Sequence, residues 1–326
     1  MTDELDLLRE ANPVSADTGP WRDRPLNARA ELLLRQLPSR DRGRRTVRRV
    51  IWSLEAAAAG TVLALALTVS GTPSSAVAAS RPLPLVAHAS RADVSLAEID
   101  RRARTAAEES LGKSERGSHL QSWALSMKSG EDPVTLPRES LTRWNADGSG
   151  FTLEVATDPR HPGRPVIEDG PPPRTVHEGE VLSEERYPPG INSANQDYFE
   201  DPPAGAAALR DYLAVWSPGA DRDPAELISA IESFVTVWTP GQRQRADIAT
   251  LLSRIEGLRP AGKVTDRLGR EGQAFRFTPR ASGLRYLIVL DPADGTVLDV
   301  EETITRDDPE YRLKAGDVIS YKAWIY

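Results

Sequence analysis

The sequence predicts an α+β protein, a curved antiparallel sheet with a helical layer, preceded by one transmembrane helix. Three observations carry this reading. Residues 50–70 form one apolar run with Glu55 as its only charge. Residues 223–258 carry two successive stripes of apolar residues at helical spacing. Residues 263–325 break into five alternating or apolar runs separated by short turn signals, the pattern of antiparallel strands.

Along the chain, residues 1–49 read as a partly disordered tail. Two leucine-bearing pieces flank a break at Asn12-Pro13 and Gly19-Pro20, and helices this short are marginal in water. A basic run follows, with Arg44, Arg45, Arg48 and Arg49 directly before the apolar stretch. Roughly 20 residues at about 1.5 Å each cross a hydrocarbon layer of about 30 Å, and here Val62, Leu63, Leu65 and Leu67 supply most of the apolar character. Arginines before the span and none in the ten residues after it set the N-terminus inside and the C-terminal part outside. The predicted location is therefore the cell membrane, single-pass, with the bilayer as a partner. An apolar run followed by Ala76-Val77-Ala78 also fits a cleaved leader, although a basic region of this length before it is unusual. In either reading residues 80–326 lie outside the cytoplasm.

Residues 71–92, rich in Pro and Ser, are predicted as a linker, and residues 93–326 as the extracytoplasmic α+β domain. Its first helix is signalled by Ser95-Leu96-Ala97-Glu98, which has capping-box form. Strands are predicted at 120–127, 140–145 and 151–155, with Asp147-Gly148 as a hairpin turn. Residues 157–175 read as a Pro-rich loop, 176–187 as a further strand and 188–203 as another loop. Residues 204–216 form a helix, and Asp223-Pro224-Ala225-Glu226 opens the next with an acidic cap and Pro at its first position. Thr239-Pro240-Gly241-Gln242 repeats the start signal, and a junction this short predicts that these two helices pack as a hairpin. The five strands after them are expected over 263–267, 273–278, 284–290, 297–305 and 318–325.

The chain has no cysteine, which excludes disulfides, thiolate metal sites and a cysteine nucleophile. Residues 80–326 carry thirty basic against thirty-nine acidic side chains, which argues against nucleic acid as a ligand. Of the four histidines only His161 and His177 could be grouped, near Asp158, Glu168, Asp169 and Glu178, in a loop poorly suited to holding a metal. Asp291-Pro-Ala-Asp-Gly295 lacks oxygen ligands where a calcium loop needs them and reads as a hairpin turn. The pairs Glu301-Glu302 and Asp307-Asp308 read as solvated. Trp123, Trp144, Trp216, Trp238 and Trp324 are expected to fill the core. No catalytic, cofactor-binding or metal-binding set emerges, so the chain reads as a non-enzyme.

The arginine-rich tail with its Ala/Leu span, the block 204–258 and the run Val264-Thr-Asp-Arg-Leu-Gly-Arg-Glu-Gly272 to Leu290-Asp-Pro-Ala-Asp-Gly-Thr296 together resemble an uncharacterised actinobacterial family of single-pass membrane proteins. Members are often encoded beside an extracytoplasmic-function sigma factor. The resemblance implies a regulatory role, with residues 1–45 as an anti-sigma-like contact to a sigma factor, although the His-x-x-x-Cys-x-x-Cys pattern of zinc-containing anti-sigma domains is absent. The order of elements is also similar to half-barrel lipoprotein-carrier and sigma-regulator sensor domains. The function expected is sensing or binding in the envelope. A carrier or chaperone for lipid or hydrophobic peptide is the alternative, and an extracytoplasmic hydrolase a more distant one.

Overall fold

The computed structural model describes residues 81–326, apart from 91–92, 111, 127–129, 131–133, 159–160, 162, 178, 191–199 and 281. The basic run and apolar span predicted over residues 40–70 lie outside the described residues, and among those described no helix is long and apolar enough to cross a membrane.

Ser95 begins the first helix, α1 (Leu96–Glu109), by accepting a hydrogen bond from the Glu98 amide. The Glu98 carboxylate turns to Arg101 and Arg102, each of which donates to it. Three long antiparallel strands follow: β1 (Glu115–Ser126), β2 (Val134–Trp144) and β3 (Gly150–Ala156). The predicted turn at Asp147-Gly148 joins the last two, with Gly148 at φ 78° and the Asp147 carboxylate accepting from Ser149. A two-strand flap, β4 (Ile167–Glu168) with β5 (Arg174–Thr175), precedes the edge strand β6 (Val181–Tyr187).

The helical block comprises α2 (Ala206–Trp216), α3 (Pro224–Val237) and α4 (Gln242–Ser253). Asp223 caps α3 by accepting from the Ala225 amide at 2.8 Å, with Pro224 occupying the first turn. Replacing Asp223 by Ala should cost about 1 kcal/mol in urea unfolding, the usual value of a lost N-cap.

The predicted α3–α4 hairpin does not form. The junction is a short strand, β7 (Trp238–Thr239), whose backbone pairs with Arg116 and Glu115 of β1. That pairing redirects the chain, so α4 packs along α1 and α2 instead of returning along α3. Local sequence spacing cannot register a partner more than a hundred residues away.

Five strands complete the domain: β8 (Arg259–Thr265), β9 (Glu271–Phe277), β10 (Leu284–Leu290), β11 (Val297–Ile304) and β12 (Val318–Trp324). The sheet order is β6-β3-β2-β1-β12-β11-β10-β9-β8, all neighbours antiparallel, with β7 attached to β1. The chain thus hairpins from the centre to one edge, crosses through the helices to the other edge, and hairpins back until β12 meets β1. Among the described residues the domain is α+β, with four helices on a ten-stranded antiparallel sheet.

The two faces of the sheet differ because side chains alternate along each strand. One face carries Leu120, Phe275, Ile288, Val300 and Trp324 into a core shared with Ile99, Leu213, Phe234 and Leu251 of the helices. Lys322 on this face reaches Glu232 of α3 at 2.7 Å. Among the described residues, no helix contributes to the hydrophobic clusters of the opposite, outer face. Residues 81–90, the second half of the predicted linker, form a strap that is docked on this face and round its β8 edge. The strap's His88 exchanges two backbone hydrogen bonds with Lys263, at 2.8 and 3.1 Å.

Candidate functional site

Two buried polar groupings occupy the outer face, and register explains why they form. Glu139, Gln121, Ala323, Asp299, Val289 and Ala274 are successive cross-strand partners from β2 to β9. The neighbouring row runs Trp123, Tyr321, Glu301, Leu287. Acidic residues on two strands, Glu139 of β2 and Asp299 and Glu301 of β11, are thereby set into one face that the flap and strap cover.

At the β2 end, Glu139 is 0% exposed. One carboxylate oxygen accepts from His119 Nε2 at 2.7 Å and the Ile167 amide at 2.9 Å. The other accepts from Gln121 Nε2 at 2.8 Å and the Val166 amide at 2.9 Å. Burial pushes the Glu139 carboxyl up, but bonds from His119, Gln121 and Val166 outweigh this and hold it below its ordinary value. All its acceptor positions are taken by protein donors, so this carboxylate fastens the flap to the sheet and has no oxygen left for a substrate.

At the β11 end, the motif Asp266-Arg267-Leu268-Gly269-Arg270 forms the turn between β8 and β9. The Asp266 carboxylate accepts from the amides of Leu268 and Arg270, at 3.0 and 2.8 Å, and from Arg270 Nε at 2.7 Å. Gly269 takes φ 83°, a conformation glycine adopts without strain. Arg270, so oriented, donates to the carbonyls of Trp324 at 2.7 Å and Leu298 at 3.0 Å, joining the turn to β11 and β12. Arg267 points to the outer face, where it pairs with Glu301 and lies 4.6 Å from the Tyr321 ring centroid. Trp123 stacks on the same tyrosine at 5.7 Å.

Glu301 and Asp299 are 1% and 0% exposed. The expectation that Glu301 is solvated is therefore overturned: alternation puts it on the covered face, while Glu302 faces the other way and accepts from Ser320. Glu301 also accepts from the Leu85 amide of the strap at 3.1 Å. Asp299 accepts from the Arg267 amide at 3.2 Å, and its Oδ1 has no hydrogen-bond partner among the described residues. Burial pushes both carboxyls up, Asp299 furthest, against the pull of Arg267.

This has a consequence for stability. A carboxyl with a raised folded pKa binds its proton more tightly in the folded state. Stability therefore rises as pH falls through the folded value, the gain being complete below the unfolded value of about 3.9. Asp299→Asn removes the penalty, so the variant should gain stability relative to the wild type as pH rises from 5 to 8. Urea midpoints at the two pH values test this, and equal pH dependence in both proteins would clear Asp299 of the effect.

The histidines of the Pro-rich loop are not brought to one site. His161 Nδ1 lies 3.0 Å from Asp158, and His177 Nδ1 lies 2.5 Å from Arg164. Glu168 pairs with Arg174, and Asp169 with Arg143. Glu178 lies outside the described residues. No group of three or more metal-ligating side chains occurs among the described residues. The Asp291–Gly295 segment is the hairpin turn expected, closed by the Asp291 amide on the Thr296 carbonyl at 2.8 Å. Trp144, Trp238 and Trp324 fill the helix-facing core as expected. Trp123 is buried in the outer-face stack, and the Trp216 side chain lies outside the described residues. Arg44, Arg45, Arg48, Arg49, Val62, Leu63, Leu65 and Leu67, predicted to anchor the chain in a bilayer, also lie outside them.

Sequence reading missed the outer-face groupings because their members, Glu139 of β2, Asp299 and Glu301 of β11 and Arg267 of the β8–β9 turn, are brought together only by strand pairing. A signal was present in the Asp-Arg-Leu-Gly-Arg turn, whose two arginines needed acceptors somewhere in the fold. No family model, no curated protein and no solved structure matches this chain.

Proposed function

We propose that the chain is a single-pass, membrane-anchored envelope protein whose outer domain senses or binds a ligand without enzymatic chemistry. The observation that carries this reading is the arrangement of its acids. Glu139, Asp299 and Glu301 are the deeply buried carboxylates of the outer face, and the flap and strap close them off from solvent. A hydrolase needs its acid and base in an accessible cleft. Glu139 and Glu301, bonded to backbone amides of the flap and strap, act instead as fastenings that hold those segments in place.

The anchor reading is supported by the basic run and apolar span over residues 40–70. Residues 71–80 then span at most about 36 Å of extended chain, so the strap is held close to the outer membrane surface in this scheme. The resemblance to sigma-factor-linked membrane proteins supports a regulatory contact through residues 1–45. The finer architecture proposed is a curved half-barrel of the lipoprotein-carrier type. A carrier role is less favoured, because large side chains such as Trp238, Phe234 and Trp324 fill the helix-facing side of the sheet.

Fractionation of cells producing the native chain tests the proposal. Full-length protein should stay in the carbonate-washed membrane pellet and lose its outer domain to protease added to intact protoplasts. A soluble product beginning near residue 79 would sink the anchored reading, and a tail (residues 1–49) that captures no sigma factor in a pulldown would sink the regulatory one.

A further inference from the structure

The strap is recognised by the sheet as a bound peptide is. Its main chain is read at three places: Arg267 donates to the Leu83 carbonyl at 2.8 Å, the Leu85 amide donates to Glu301 at 3.1 Å, and His88 bridges Lys263 on both sides of its residue. Its side chains are read at three others. Arg81 pairs with Asp317 at 2.5 Å, and Leu85 and Ala87 pack on a bed of Val264, Ala274, Leu287, Val289 and Leu298. Leu83 and Val86, 83% and 65% exposed, point away and are not selected. Main-chain bonds supply affinity and spaced side-chain contacts supply specificity in groove recognition of extended peptides.

Two further features mark the groove as built for a ligand. Gly262 of β8, at φ 121°, admits the strap's backbone, because a Cβ there would lie 2.4 Å from the His88 carbonyl. Asp299 faces the same side of the sheet, wholly buried, with Oδ1 unpartnered among the described residues, so the groove holds one acceptor more than the strap uses. Against this, the strap forms one isolated bridge, whereas each main-sheet strand pairs over several residues.

From these we infer that the outer-face groove is a peptide-binding site, occupied in this chain by its own residues 81–90 and open to an extended segment of a partner protein. The partner chemistry is a basic residue, then an aliphatic one four positions later and a small one two beyond that, the Arg81, Leu85 and Ala87 spacing. A donor-bearing side chain reaching Asp299 would let such a segment displace the strap. The strap is a competitor tethered to the same chain, so its local concentration sets the threshold for displacement. This deepens the binding role proposed above and rests on it. Its test reads peptide binding alone, so it can fail while the membrane topology stands.

The probe is a fluorescein-labelled peptide with the sequence of residues 80–90, added to the full chain in detergent and followed by anisotropy. Leu85→Asp undocks the strap by placing a charge on the apolar bed. The peptide should bind this variant at least about ten-fold more tightly than the wild type, and Glu301→Ala added to it should remove most of that gain. No binding to a folded Leu85→Asp chain overturns the inference. Dimers of the variant mixed with wild type, seen without peptide by analytical ultracentrifugation, would assign the groove to a second copy and overturn it as well. Should Leu85→Asp not fold, hydrogen exchange on the wild type decides. The Leu85 and His88 amides should exchange at least about 100-fold faster than those of β9–β11, as a locally opening segment does. Exchange as slow as in those strands would make the strap a fixed part of the fold.

Discussion

Glu139→Gln is expected to destabilise the domain by about 3 kcal/mol or more, because a buried charged acceptor with its full set of donors is replaced by a group that cannot accept them all. Each carboxylate oxygen of Glu139 receives two donors. A glutamine keeps one oxygen and places an amide NH₂ where the other stood, facing either His119 and Ile167 or Gln121 and Val166. Donors then meet donors in a site with no exposure to water. The pH dependence carries a second signature. The folded Glu139 carboxyl is held below its ordinary value, so its contribution is present above about pH 4.3 and is lost as pH falls through the lower folded value. That portion of acid lability should disappear in the variant. Urea unfolding at pH 7 and pH 3.5 measures both effects. Glu154→Gln is the control: this carboxylate is half-buried beside Arg138 at 3.6 Å and should change stability by less than about 1 kcal/mol. Equal effects of the two substitutions would mean that the four-donor site is not what holds the flap.

Trp238→Ala should cost about 4 kcal/mol, the range of a large aromatic removed from a core. Trp238 is 0% exposed, meets Trp144 edge-on with centroids 4.6 Å apart, and lies under the Arg116 guanidinium at 5.4 Å. Its backbone is also the link by which β7 ties the helical block to β1. The Trp144 indole donates to the Val237 carbonyl at 3.1 Å, so both tryptophans hold one junction. A double-mutant cycle with Trp144→Ala should therefore show coupling of about 1 kcal/mol. Additive losses would mean that the two rings stabilise the fold independently. Trp238→Phe, which keeps a ring in the site, should lose well under half as much.

Both effects arise from contacts between distant segments, and this marks the boundary of what the sequence reveals. The elements themselves were legible. Ser95 and Asp223 cap the helices they signalled, and the five C-terminal strands lie where alternation and turn residues set them. These signals are local: a capping side chain reaches two or three residues, and a strand's two-residue period is written in its own letters. The core tryptophans were legible for the same reason, since large apolar groups on periodic faces are buried whatever they pack against.

What tertiary structure alone decided is which partners those elements meet. β7 pairing with β1 turned an expected helical hairpin into two helices packed apart. Closure of β12 on β1 aligned Glu139, Asp299 and Glu301 across strands far apart in sequence, converting an acid that reads as solvated into a buried one. A stretch of Pro and Ser before the domain read as linker, because nothing in its own residues shows that Glu301, Arg267 and Lys263 wait to bind its backbone. Sequence determined each segment's periodicity and caps because those depend on neighbours along the chain. The fold determined the groove and its buried charges because those depend on neighbours across the sheet.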